Sequence, residues 1–207
     1  MLTVLLIQYS NILMGVYFFS FEKTDDIMRA NTTDLGEVNM ESTRLLIRRM
    51  EKEDEAAFVR GIADRALRIA YGFPADMEDA VSAKIFEHFS GLDGSRSLVE
   101  KSSGIMIGFL LDVEPELPED LKAGLPGKGR TLAYAVFPSF QRKGYMLETL
   151  QAVIPEMLRD ETDYIHCGHF EENIPSREML RKLGFREYAS HQGRDKLIID
   201  EILLRET

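Results

Sequence analysis

The chain has 207 residues, 44% of them hydrophobic and 29% charged, enough apolar material for one globular domain with a core of its own. Its formal net charge of −10 excludes the basic footprint that nucleic-acid binding requires, and it suits a cationic substrate such as an amine. One cysteine, Cys167, excludes an intramolecular disulfide and makes a reducing, cytoplasmic setting the default; with four histidines it gives no structural zinc pattern.

Residues 1–21 carry no charged side chain and are long enough to span a bilayer. Three features count against a membrane span. Gln8, Tyr9, Ser10 and Asn11 interrupt the run, no basic residue precedes Lys23, and the following flank has no Lys/Arg excess. The alternatives are packing on the domain or on a second subunit, which leaves a homodimer open, or a later start at Met28 or Met40. The polar residues that follow read as a linker. The chain therefore divides into an apolar extension plus linker, 1–39, and a folded domain, 40–207.

Residues 43–50 read as a strand, with Leu45 and Ile47 on one face. A helix follows over 53–69, with Ala56, Val59, Ile62, Ala63, Ala66 and Leu67 as its apolar stripe. Tyr71-Gly72-Phe73-Pro74 breaks it, and 76–89 reads as a second helix. Two strands, 96–100 and 105–113, are joined by a Ser-Ser-Gly turn. Residues 114–130 form a long Pro- and Gly-rich connection with room for one helical turn.

The apolar run 131–137 suits a strand buried on both faces. A helix follows over 144–160, which Pro155 should kink or shorten. Then come a strand over 164–170, a helix over 173–182 stopped by Gly184, and two strands, 185–191 and 196–205. The turn between the last two is Gln192-Gly193-Arg194-Asp195.

The segment 136–147 carries the most chemistry. A buried strand ends, a short loop turns, and a long helix begins. The first N–H groups of a helix lack internal acceptors, and with the helix dipole they form an anion site. Gly144 permits close approach and unusual φ, and Arg142 and Lys143 add local positive charge in an acidic chain. A phosphate or pyrophosphate held near 142–147 is the chemistry this implies. Gly127-Lys128-Gly129 is not a P-loop, because Lys122 and Gly129 stand where Gly and Ser/Thr are needed.

Val136-x-Pro138-x-x-Gln141-x-x-Gly144 resembles the acetyl-coenzyme A signature of the GNAT acyltransferases. The opening Thr43-Arg44-Leu45-Leu46-Ile47-Arg48 resembles the first strand of the branch that acetylates ribosomal-protein N-termini. Asn173-Ile174-Pro175-Ser176, followed by Lys182-Leu183-Gly184-Phe185, is similar to another element of that branch. The likeness runs from about Met40 to the C-terminus.

The resemblance implies an α/β (α+β) fold: a mixed, mostly antiparallel sheet of six or seven strands flanked by four helices. It implies acetyl-CoA as cosubstrate, no metal, and a primary amine as acceptor, attacking the thioester directly. The cofactor residues it implies are Tyr134, Ala135, Val136, Gln141, Arg142, Lys143, Gly144, Tyr145, Met146, Leu147 and Asn173. The Val136 N–H would meet the oxyanion, and Ser176 would protonate the departing thiolate. His169 is the candidate base, with His166, Glu171 and Glu172 behind it. Tyr71, Phe73 and the 192–195 turn are candidates for the acceptor pocket.

Three departures stand out. Met146 replaces the second Gly/Ala of the signature, so its side chain must point away. Arg130 and Gly168 occupy the two positions where the superfamily often carries a catalytic glutamate. A non-catalytic acyl-CoA binding module is therefore the competing reading.

Overall fold

The alternation of the first predicted strand sets the architecture. Leu45 and Ile47 are both 0% exposed and face one helical layer, while the intervening positions stay partly open. A computed structural model describes residues 39–206 except 116, 160, 194 and 195. The readings made for 1–38 and for the tip of the last turn lie outside these residues. Among the described residues, no helix is long and apolar enough to cross a membrane.

The strands are β1 (Met40–Glu41), β2 (Leu45–Arg49), β3 (Ser95–Glu100), β4 (Ile105–Val113), β5 (Gly129–Val136), β6 (Tyr164–Phe170), β7 (Arg186–Gln192) and β8 (Leu197–Leu204). They form one eight-stranded sheet in the order β1-β2-β3-β4-β5-β6-β8-β7. Only β5 and β6 pair in parallel; the other pairs are antiparallel. The helices are α1 (Glu55–Gly61), α2 (Arg65–Ala70), α3 (Asp79–Ser90), α4 (Glu119–Lys122), α5 (Tyr145–Arg159) and α6 (Ile174–Lys182). The class expected from the sequence stands, with one short edge strand and two short helices more than predicted.

Helices α1 to α3 cover one face. Phe58, Ile62, Phe86 and Phe89 pack there on Phe109, Ala135 and Phe137. Helices α5 and α6 cover the other, where Leu150, Val153 and Leu180 pack on Leu45, Ile47, Leu98, Leu132 and Ile165. A register shift at Leu98/Val99 lets Ile107 and Leu110 serve one layer while Met106 and Phe109 serve the other.

The single helix expected over 53–69 is instead a 3-10 turn (Lys52–Asp54) followed by α1 and α2. Asp64 ends the continuity, because its side chain accepts from the Leu67 N–H and so starts a new helix (2.8 Å). The buried Arg68 then donates from Nε to the Ile62 carbonyl at the end of α1 (2.7 Å). Helix α5 runs through Pro155 to Arg159. Both Pro155 and Gln151, whose carbonyl loses its N–H partner, are on the exposed side, so water can satisfy that carbonyl.

Asp54 ties the first turn to the sheet. Its carboxylate accepts from Arg48 (2.7 and 3.0 Å), the Glu51 N–H (3.0 Å) and the Ser97 hydroxyl (2.6 Å). Burial pushes this carboxyl up, but the hydrogen bonds from Arg48, Glu51 and Ser97 outweigh burial and hold it below the ordinary aspartate range. A depressed folded pKa gives stability that is complete above the unfolded value of about 3.9 and is lost as pH falls through the folded value. Urea unfolding of the wild type and Asp54→Asn, followed from neutral pH to about pH 2, should show the variant less stable at neutrality and the gap closing on acidification. A gap independent of pH would count against this account.

Candidate active site

The site grows from the place where β5 and β6 part. They pair at Gly129/Tyr164, Arg130/Ile165 and Thr131/His166, and at no later position. Beyond that point β5 stays on β4 while β6 stays on β8. A fork opens between Leu132–Val136 on one side and Cys167–Phe170 on the other.

The backbone of β5 turns polar groups into that fork. The Phe137 N–H donates to Ile107 O on β4 (2.8 Å). By the alternation of an antiparallel ladder, Ala135 and Ala133 also spend their backbone on β4, whereas Val136 and Tyr134 direct theirs into the fork. The carbonyls there are capped within the chain. Tyr134 O accepts from the Tyr71 hydroxyl, and Val136 O accepts from Gln141 Nε2 (2.9 Å). The N–H groups of Tyr134 and Val136 point the same way as those capped carbonyls. Ala135 differs from these two: its methyl is buried against the α1–α3 layer and its backbone serves β4.

A 3-10 turn (Pro138–Phe140) leads from β5 into the loop, closed by the Gln141 N–H on Pro138 O (3.2 Å). Arg142 (φ 61°) and Gly144 (φ 80°) then take left-handed conformations and swing the chain into α5. The first helical bond is Glu148 N–H to Gly144 O (3.0 Å). The N–H groups of Tyr145, Met146 and Leu147 thus have no acceptor inside the helix and carry the positive end of its dipole. Lys143 Nζ lies 5.1 Å over the Phe140 ring. Met146 is buried in the core with Leu150 and Val153, so its side chain leaves the loop surface clear.

Arg44, about 100 residues earlier in the chain, also reaches this loop. Its NH1 donates to Lys143 O (2.9 Å), its Nε to Glu148 (2.7 Å), and its guanidinium lies 4.3 Å over the Tyr145 ring. Glu148 also accepts from the Ser42 hydroxyl and the Arg44 N–H, both at 2.7 Å. Partial burial pushes the Glu148 carboxyl up, but these contacts hold it below the usual range. Tyr145 donates its hydroxyl to Glu100. The start of β2 is thereby fastened to the first turn of α5, and Arg44, Arg142 and Lys143 gather cations at one helix terminus.

On the α5–α6 face, the Tyr134 hydroxyl lies 3.1 Å from Ser176 Oγ. Asn173 caps α6, its Oδ1 accepting the Ser176 N–H (3.2 Å). Burial pushes the Tyr134 phenol well above its ordinary value, so it stays neutral and available as a donor. His169 shares this face. It is 6% exposed, with Nδ1 on Phe170 O (2.9 Å) and Nε2 on Glu201 (3.3 Å). Both ring nitrogens are spent within the protein, so no lone pair is aimed into the fork.

On the α1–α3 face a different chain crosses four strands. Thr131 Oγ1 lies 2.9 Å from His166 Nδ1, His166 Nε2 lies 3.0 Å from Asp200 Oδ1, and Asp200 Oδ2 lies 2.7 Å from His191 Nδ1. Asp200 is 1% exposed. Arg130, at one expected glutamate position, bonds Asp112 (2.7 Å) and Glu114 (2.6 Å) and is buried away from the fork. Phe73 is a core residue rather than a pocket wall, whereas Tyr71 stands at the fork. Among the described residues, no group of three or more His, Cys, Asp or Glu is arranged to hold a metal.

The family description "Acetyltransferase (GNAT) domain" matches residues 44–186. No curated protein matches the chain. Solved structures do. A GNAT-family acetyltransferase from Bacillus anthracis is 18% identical with a TM-score of 0.67, covering 82% of this chain and all (100%) of that one. The ribosomal-protein-S5-alanine acetyltransferase of Vibrio fischeri is 16% identical, TM-score 0.63, covering 82% and 97%. A Salmonella typhimurium protein solved with its cofactor acetyl-CoA is 20% identical, TM-score 0.58, covering 79% and 95%.

The left-handed turn at Gly144 is a local constraint that can be checked without any ligand. An alanine there has room, since its Cβ would meet only Arg44 NH2 at 3.6 Å, but not the right φ. Gly144→Ala should lower unfolding stability by about 1 kcal/mol. Equal or greater stability in the variant would mean that the loop does not need this conformation.

Proposed function

We propose that this chain, which belongs to the GNAT acetyltransferase family, transfers an acetyl group from acetyl-CoA to a primary amine by direct attack in a ternary complex. The acceptor is a small molecule or a protein N-terminus. The family match supports acyl transfer in general. One observation carries the rest of the reading: the Tyr134–Ser176 hydroxyl pair sits at a fork whose strand leads straight into the left-handed turn and cationic loop.

In this reading the pyrophosphate rests on the N–H groups of 145–147, with Arg44, Arg142 and Lys143 supplying positive charge. Asn173 lines the path of the pantetheine arm. The thioester carbonyl lies at the Val136 and Tyr134 N–H groups, which meet the oxyanion as it forms and cost no reorganisation then. The thiolate leaves beside Ser176, which gives it a proton while the neutral Tyr134 phenol donates to Ser176 in turn. The net charge of −10 draws a cationic amine toward the molecule. A cytoplasmic setting fits the single, buried Cys167.

A second reading, a binding module without turnover, is favoured by Arg130 and Gly168, which leave both usual acid positions without a carboxylate. Thiol release from acetyl-CoA across a panel of amines and N-terminal peptides separates the two. The transferase reading expects turnover on at least one acceptor. On that acceptor Ser176→Ala should reduce kcat by about 100-fold, with the KM for acetyl-CoA little changed. Tight acetyl-CoA binding with no turnover on any amine would establish the module instead.

A further inference from the structure

We propose that the base which deprotonates the acceptor amine is His166, reached through the Thr131 hydroxyl and held in place by Asp200 and His191. The proposal rests on the acyl-transfer reading above and adds the component that reading lacks.

The sheet has two faces at the fork, and their chemistry differs. Cys167 pairs with Glu201 and His169 with Ile199, and Cys167 belongs to the core under α5 and α6. His169 and Glu201 therefore lie on the side of the cationic loop, Tyr134 and Ser176. Gly168 pairs with Asp200 and His166 with Ile202, so these four point to the opposite side. Coenzyme A entering along the loop and α6 fills the first side. The acceptor must then come from the second, where Thr131, His166 and Asp200 lie at the root of the fork.

Gly168 makes this more specific. A Cβ built there would lie 3.8 Å from both Cε1 and Nε2 of His166 and 3.7 Å from Ile198. The imidazole two residues earlier thus occupies the space beside the position that lacks a carboxylate. Directly across the ladder, the neighbouring strand supplies that carboxylate as Asp200. The acid group missing from β6 is present on β8, one strand over.

The hydrogen bonds fix the direction of proton flow. An ionised Asp200 only accepts, so it takes the Nε2–H of His166 on Oδ1 and the Nδ1–H of His191 on Oδ2. That leaves His166 Nδ1 with a lone pair facing the Thr131 hydroxyl at 2.9 Å, where Thr131 donates. Hydroxyl, imidazole and carboxylate then stand in the order used by hydrolytic triads. Here the hydroxyl relays a proton and does not attack.

An alkylammonium acceptor, with a pKa of about 10, passes one proton through a chain of waters along the fork to Thr131 Oγ1, which lies about 10 Å down β5 from Tyr134, as the Thr131 proton passes to His166 Nδ1. The resulting imidazolium is stabilised by Asp200. The free amine forms the C–N bond, the C–S bond breaks, and the thiolate takes a proton from Ser176. As the tetrahedral carbon collapses, the second proton on nitrogen passes to water, a water proton restores the Ser176 hydroxyl that protonated sulfur, and His166 returns the first proton to water, so one proton is released per turnover. Thr131 and His166 handle the proton; Asp200 and His191 are positioning residues.

The test compares the best amine of the panel with its β,β,β-trifluorinated analogue, which is already largely neutral at an assay pH near 8 and has no proton to remove before attack. His166→Gln should lose about 100-fold in kcat/KM on the basic amine, and at least about tenfold less on the fluorinated one. The KM for acetyl-CoA should stay within about threefold, since the variant lies on the other face. Thermal melts accompany each variant. Thr131→Val, which keeps the shape and removes the relay, is measured in the same way and should show the same ratio. Equal losses on both amines, or no loss, in a variant that melts like the wild type would overturn the assignment while leaving the transferase reading intact. A wild type that turns over neither amine would overturn both.

Discussion

Three residue pairs hold β5 to β6, and everything chemical in this domain depends on their number being so small. A parallel pair is normally buried and continuous, because unpaired strand edges in a core are costly. Here the edge is opened and its polar groups are covered one at a time. Tyr71 from the end of α2 caps Tyr134 O, and Gln141 from the following loop caps Val136 O. Both caps are side-chain donors and both leave the neighbouring N–H groups uncovered. The fork is therefore an edge with its acceptors satisfied and its donors free to meet an anionic oxygen. This gives Gln141 a physical role: it holds the strand open, whether or not it ever touches a ligand.

Charge is partitioned around that opening. The chain is acidic overall, yet Arg44, Arg142 and Lys143 converge on the α5 terminus. Arg44 is oriented by Glu148, whose carboxylate also binds the backbone at Arg44 and the Ser42 hydroxyl. A glutamate in the first turn already suits the helix dipole, and it anchors a guanidinium at the mouth of the loop. Arg130 shows the opposite arrangement. It is buried, paired with Asp112 and Glu114, and contributes nothing to the fork. An arginine in the position of a familiar acid is thus neutralised by partners on β4 and just beyond it, and the fork does not inherit its charge.

What the sequence could reveal followed range. The strands were readable because alternation is local: Leu45 and Ile47 announced their shared face. The loop was readable because Gln141 and Gly144 lie on one short segment whose helix-terminus physics is also local. The break between α1 and α2 was obscured because Ile62 and Leu67 keep helical spacing across it, while Asp64 acts through a single cap. Arg44 at the loop, Tyr134 beside Ser176, and the His166–Asp200–His191 chain were invisible for another reason. Each joins residues brought together only by strand order, and nothing in the spacing of 166, 191 and 200 signals contact. His169 drew notice in the sequence, but the pleat turns it to the helical side, where its nitrogens are already used.

The pleat also explains why Gly168 and His166 belong together. Residues 166 and 168 share a face, and a Cβ at 168 would lie in van der Waals contact with the imidazole. The ring reaches across the ladder to Asp200, and Asp200 can be buried because two imidazoles satisfy both its oxygens. A slip of one residue in the β6–β8 register would send Asp200 to the α6 side and bring Glu201 to the other, dismantling both networks at once. The register is set by the apolar pair Ile165/Leu203 as much as by the polar ones. The same packing that closes the core therefore decides which acid faces the fork.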